Sequence, residues 1–103
     1  MASFLNLSII PSIKAETCIA SIYSSKDRGG KIGAGGAHLN DNALTAAHKS
    51  FSLGSKHRVT HNGHSITVTI NDRGPYAKGR CLDLRPAAAR AINCDGLCRV
   101  SVD

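Results

Sequence analysis

The sequence predicts a small, mainly β domain, a barrel or a sandwich, with about six short strands and one helix. Three observations predict it. Apolar and polar residues alternate over short runs instead of recurring at helical spacing. Gly-rich or polar turns separate those runs. Only one stretch, "PAAARAI" at 86–92, has the composition of a helix.

Taken in order, "CIASIYS" alternates and reads as a first strand. "KDRGGKIGAGGAHLNDN" holds five glycines and cannot be a regular element. "ALTAAHKS" is small and apolar, and fits either a turn of helix or a short strand. "KHRVTH" and "HSITVTI" read as strands joined by Asn62-Gly63, the strongest short hairpin signal. "GRCLDL" is another strand. Pro86 suits a first helical turn and Asn93 can end the helix, so a helix is expected over about 86–93. "CRVSV" is the last strand.

The chain has 103 residues and a formal charge of +6, enough for one domain with a modest core. It has no Trp, two Phe and two Tyr, so the core must be built from Val, Ile, Leu and Ala. The positive charge favours a polyanionic partner. The basic residues are dispersed and not interleaved with aromatics, which argues against nucleic acid. The first stretch, "MASFLNLSIIPSIKA", is too short to cross a bilayer. Residues 1–15 read as a weak or truncated signal peptide: the stretch ends in Ala15 and polar "ETC" follows, but a basic start is missing and Ile13 is large for its place. An ordinary first strand is the alternative. "AETC" lacks a lipoprotein pattern, so no membrane anchor is expected. The domain proper is then 16–103.

Cys18, Cys81, Cys94 and Cys98 form an even set, as in a disulfide framework in an oxidising compartment. They allow three pairings, and sequence alone does not choose. The spacing fits no zinc motif, so no metal and no cofactor are expected.

Two aspartates carry the candidate chemistry. Asp72 ends a strand at "INDRGP", where its carboxylate can also cap its own turn. Asp83 lies in "CLDL", sharing one strand face with Cys81 while Leu82 and Leu84 share the other. If the leucines face the core, Asp83 faces a surface or groove; if Asp83 points inward it must be paired, with Arg73, Arg80 or Arg85 as candidates. A carboxylate beside an apolar wall is what a glycosidic general acid needs. His48, in "TAAHKS", is either a buried bridge between loops or a catalytic group. His61 and His64 flank the hairpin turn and read as a solvated turn; His38 has no distinguishing context.

"LTAAHK", "INDRGP", "GRCLDL" and the Ala-rich helix, in this order, resemble the rare lipoprotein A (RlpA)-like double-psi β-barrel family. "ASIYS" resembles the opening strand of that family, and the likeness runs from about Cys18 to Asp103. The resemblance implies a six-stranded double-psi β-barrel with a substrate groove across one side. It implies action on peptidoglycan glycan strands, as in lytic transglycosylases that prefer strands stripped of stem peptides, and hence a periplasmic or extracellular place. A monomer is expected. Expansins and small secreted protease inhibitors share the barrel. In active members a Glu, a His and an Asp are associated with activity. The His falls on His48 and the Asp on Asp72; Asp83 matches the acid of expansin-like relatives. Tyr23, Arg73, Tyr76 and Arg80 are expected to contact substrate.

One position departs. Eleven residues before His48, where the family carries Glu, this chain has Ala37, and its only Glu is Glu16. Arg85 also stands where the family often has Ser or Thr, a better helix cap. Three readings follow: a transglycosylase using Asp72 or Asp83, a binding module that has lost its chemistry, or a protease inhibitor on the same barrel. For the cysteines, a local Cys94–Cys98 bridge would leave Cys18–Cys81. Cys18 joined to Cys94 or Cys98 stays open, because first and last strands could be neighbours.

Overall fold

A computed structural model describes residues 15–24 and 40–103. The leader-like segment up to residue 14 and the Gly-rich stretch with Ala37 and His38 lie outside the described residues. Six strands and one helix follow the predicted order: β1 (Glu16–Ile22), β2 (Thr45–Ala47), β3 (Lys56–His61), β4 (His64–Asp72), β5 (Arg80–Leu84), α1 (Pro86–Ala91) and β6 (Cys98–Val102). "ALTAAHKS" supplies a strand, not a helical turn, because Thr45–Ala47 is zipped between β4 and β5.

The strands close into a barrel in the order β1-β5-β2-β4-β3-β6. The pairs β1–β5 and β2–β4 are parallel, and the rest are antiparallel. Parallel neighbours cannot be joined by a tight turn. The link from β2 to β4 therefore passes through β3, and the link from β1 to β5 spans most of the chain. Among the described residues, only β3–β4 is a simple hairpin. Its turn holds Asn62 at φ 47° and Gly63 at φ 84°, the left-handed pair that "NG" predicts.

The core is aliphatic, as the shortage of aromatics requires. Val59, Val68, Ile70, Leu82 and Leu84 are fully buried, packed with Ala20, Ala46, the helix residue Ala88 and the helix C-cap Ile92. Each large side chain here contributes roughly 1.5–3 kcal/mol by leaving water. The alanines on β1, β2 and α1 let strands and helix approach closely. The helix starts at Pro86 without a side-chain cap from Arg85. It ends at Ala91, two residues before the expected stop. Asn93 takes φ 57°, its N–H donates to Arg90 O, and Cys94 N–H donates to Ala89 O. That is a Schellman ending with Asn in place of Gly.

Two disulfides brace the barrel, Cys18–Cys81 and Cys94–Cys98. The first and last strands are indeed neighbours, with Ala20 opposite Cys98. Cys18 nevertheless faces Cys81 on the other flank of β1. The bridges close loops of very different length, with sequence separations of 63 and 4. Loop-closure entropy assigns about 4 kcal/mol to the long bridge and about 2 kcal/mol to the short one. Replacing Cys18 and Cys81 by Ser is expected to lower the melting temperature clearly more than replacing Cys94 and Cys98. Equal losses in calorimetry would contradict that ranking.

Candidate functional site

The two aspartates of the sequence meet across β2. Asp83 on β5 pairs with Ala47, and Ala47 pairs on its other side with Asp72 on β4. Ser21 on β1 pairs with Asp83. One row thus crosses four strands: Ser21, Asp83, Ala47, Asp72. At a strand spacing of ~4.8 Å, the two aspartate backbones lie on the order of 10 Å apart. A bulge makes the row possible. Ala46 pairs with Ile70, but Ala47 pairs with Asp72, so Asn71 is skipped. Bulges of this kind re-aim a side chain at a site.

The aspartates differ in environment. Leu82 and Leu84 are buried in the core and Asp83, between them, is half-buried. Ser21 Oγ donates to Asp83 Oδ1. Asp72 is almost wholly buried, at 1% exposure. A carboxylate so placed needs donors: Arg73 N–H donates to Oδ1 at 2.9 Å and Tyr23 O–H to Oδ2 at 3.4 Å. Asp72 therefore caps its own turn and is tied to Tyr23 as well.

Tyr23 is the lid of this row. Its ring is buried against Ala47, and its backbone N–H donates to Leu84 O. Beside it lies Arg85, fully buried, with its guanidinium carbon 4.7 Å from the centroid of the Tyr23 ring. Arg85 Nη2 is 2.7 Å from Asp41 Oδ1, an ion pair that offsets the cost of burying the cation. Among the described residues, Arg85 Nε and Nη1 have no hydrogen-bond acceptor. The Arg that cannot cap α1 thus packs on Tyr23 instead.

His48 is the hub of the adjoining turn. Its Nδ1 accepts two backbone N–H groups, from Ser50 at 3.1 Å and Phe51 at 3.0 Å. An accepting Nδ1 puts the ring proton on Nε2, which points at Glu16 Oε1, 3.3 Å away. Phe51 stacks on the ring at 3.6 Å between centroids, and His57 stacks at 3.8 Å from Phe51. The His48 backbone binds the Asp72 corner: its N–H donates to Asp72 O, and its carbonyl accepts Arg73 Nη1 at 3.1 Å. Arg73 Nη1 also donates to Phe51 O. Arg73 is thus engaged in holding the turn. Next to it Gly74 takes φ 114° and Pro75 follows through a cis bond. Tyr76 then projects with 75% exposure. Arg80 is half-buried at the start of β5.

Glu16, Ser21, Asp41 and Arg85 were not singled out as site residues from the sequence. Ser21 shares its β1 face with Tyr23, which alternation could have shown. The others depend on register and loop path. His61 and His64 sit opposite each other at the hairpin end, bonded to Arg99 O and Asn93. Glu16, Cys18 and Cys81 gather potential ligand atoms within 4.8 Å. Both sulfurs are in a disulfide and have no thiolate to offer a metal. A separate cleft of about 540 Å³ opens beside Glu16, Phe51, His57, Arg58 and Val102.

Ala47 is fully buried and packs with Tyr23. Ala47→Val is expected to cost about 1–3 kcal/mol through overpacking. A melting temperature equal to the parent's would show that Tyr23 does not press on this position.

The family model described as "Lytic transglycolase" matches residues 15–102. The chain is 49% identical over 80 residues to the "Endolytic peptidoglycan transglycosylase RlpA" of Pasteurella multocida, an alignment covering 76% of this chain and 27% of that protein. It spans about a quarter of the length of the curated relatives it matches. Among solved structures, the Streptomyces papain inhibitor superposes with a TM-score of 0.69 at 21% identity, covering 91% of this chain and 96% of that one. An expansin from Clavibacter michiganensis superposes with a TM-score of 0.67 at 24% identity, covering 86% of this chain and 49% of that one. At such identities these two likenesses concern the fold alone. The match along residues 15–102 places this chain in the RlpA-like double-psi β-barrel family.

Proposed function

We propose that the chain acts on peptidoglycan glycan strands as a lytic transglycosylase, with Asp83 as the acid and base. The observation that carries this reading is the row in which Asp83 and Asp72 flank Ala47. Asp83 is the more accessible of the two, and Ser21 occupies only one of its oxygens. The reaction needs a single carboxyl. It protonates the glycosidic oxygen as the bond to C1 breaks. The 6-hydroxyl of the same muramyl residue then attacks C1 and returns its proton to the carboxylate, which closes a 1,6-anhydro ring. Asp72, held by Tyr23 and Arg73 N–H, lies across Ala47 and supplies negative charge facing the positive charge that develops at C1.

Tyr76, exposed after the Gly74-Pro75 turn, offers a ring on which a sugar can stack. Arg80 and the overall charge of +6 suit an anionic wall polymer. His48 and Arg73 act here by holding the turn that carries Asp72. Two disulfides fit work in a periplasmic or extracellular space. No helix among the described residues is long and apolar enough to cross a membrane.

One observation favours a second reading. Ala37 can neither give nor take a proton, and a barrel that needed a Glu at that position would bind glycan without cutting it. The two readings separate by mass spectrometry of soluble products from stem-stripped peptidoglycan. The enzyme is expected to release anhydro-muramyl fragments. Asp83→Asn is expected to slow release by roughly 10²–10⁴-fold, the usual share of general acid–base catalysis. Retention of the protein on insoluble glycan with no fragments released would select the binding module.

A further inference from the structure

We propose that Glu16 is a positioning residue for the Asp72 side of the groove, acting through His48. The proposal rests on reading that groove as the reacting site. In the sequence Glu16 looks like the residue that follows a processed leader. In the fold it opens β1, opposite Val102 of β6, and its carboxylate meets the one ring hydrogen of His48 that the backbone leaves over.

The ring of His48 has little freedom. Rotating it by half a turn would lose both N–H donors now on Nδ1, from Ser50 and Phe51. Phe51 lies parallel to it, with 4° between the planes. The side chain is 7% exposed, so its Nε2–H needs an acceptor, and Glu16 provides one. The sulfurs of the Cys18–Cys81 bridge lie within 4.8 Å of the Glu16 carboxylate.

What the ring fixes, the backbone of the same residue passes on. His48 N–H holds Asp72 O at 3.2 Å, and His48 O holds the guanidinium of Arg73. Without Glu16 the buried Nε2–H has no acceptor, and the cost falls on the ring's Nδ1 contacts and loosens the corner that aims Asp72. Glu16 is half-exposed, at 47%, so water screens the contact and the effect is graded.

The test compares the full chain with Glu16→Ala, Glu16→Gln and Glu16→Asp. Cleavage of stem-stripped peptidoglycan and ¹⁵N NMR of the His48 ring are read together. Glu16→Ala is expected to lower kcat roughly 3- to 30-fold, the scale of one water-screened hydrogen bond to a charged group. KM is expected to hold, and Glu16→Asp to recover part of the loss. The His48 Nε2–H signal should move, and the His48 amide should exchange faster. Wild-type kcat in Glu16→Ala with an unmoved ring signal would overturn the proposal. So would a loss that Glu16→Asp does not relieve, accompanied by a lowered melting temperature. A parent protein that releases no product defeats the reading of the groove instead. The ring signal and amide exchange then still decide Glu16: changed values support it and unchanged values overturn it.

Discussion

The three residues of β2 bear on nearly everything at the aspartate row. Ala47 pairs with Asp83 on one side and with Asp72 on the other, and the skipped Asn71 makes that second pairing possible. Without the bulge, period-two alternation would set Asn71 opposite Ala47 and aim Asp72 elsewhere. The Ala47 methyl is also buried against the Tyr23 ring. Register and side-chain size at one position thus bring together carboxylates that stand eleven residues apart in the chain.

Around that row the polar groups form two supports with different partners. Tyr23 and Arg85 cover the row and tie it to Asp41. His48, Arg73 and Phe51 shape the turn behind Asp72, with Glu16 at its outer edge. Buried charge is costly unless paired, and here the Arg85–Asp41, His48–Glu16 and Tyr23–Asp72 contacts run between elements far apart in sequence. The same contacts that aim the aspartates therefore help close the barrel. The long disulfide acts in the same sense, since it fixes the start of β1 against the start of β5.

The strands were legible in the sequence because alternation and turn residues are local. "HSITVTI" and the Asn62-Gly63 turn needed nothing beyond their own order. The helix was legible from Pro86 and its alanines, but its end moved because Asn93 adopts a left-handed cap rather than a last helical residue. "ALTAAHKS" was ambiguous, since small residues favour neither state until β4 and β5 zip onto them. The leucines beside Asp83 foretold which way that carboxylate would face. Glu16, Ser21, Asp41 and Arg85 could not be read in the same manner. Their roles arise from closure of the barrel and from loop paths, which no spacing encodes. Family likeness supplied His48 and Asp72 as a pair; the fold adds that they are joined through backbone, with the ring of His48 turned toward Glu16.

The central claim is that ligand chemistry takes place over the Asp83–Ala47–Asp72 row. The most direct measurement is a crystal structure of the Asp83→Asn chain with a stem-stripped glycan tetrasaccharide. The expected result is a glycosidic oxygen within hydrogen-bond distance of the substituted side chain at position 83, with a sugar ring across Ala47 and Tyr23 and another against Tyr76. A glycan seated instead in the cleft beside Phe51 and Arg58, with the row untouched, would contradict the account.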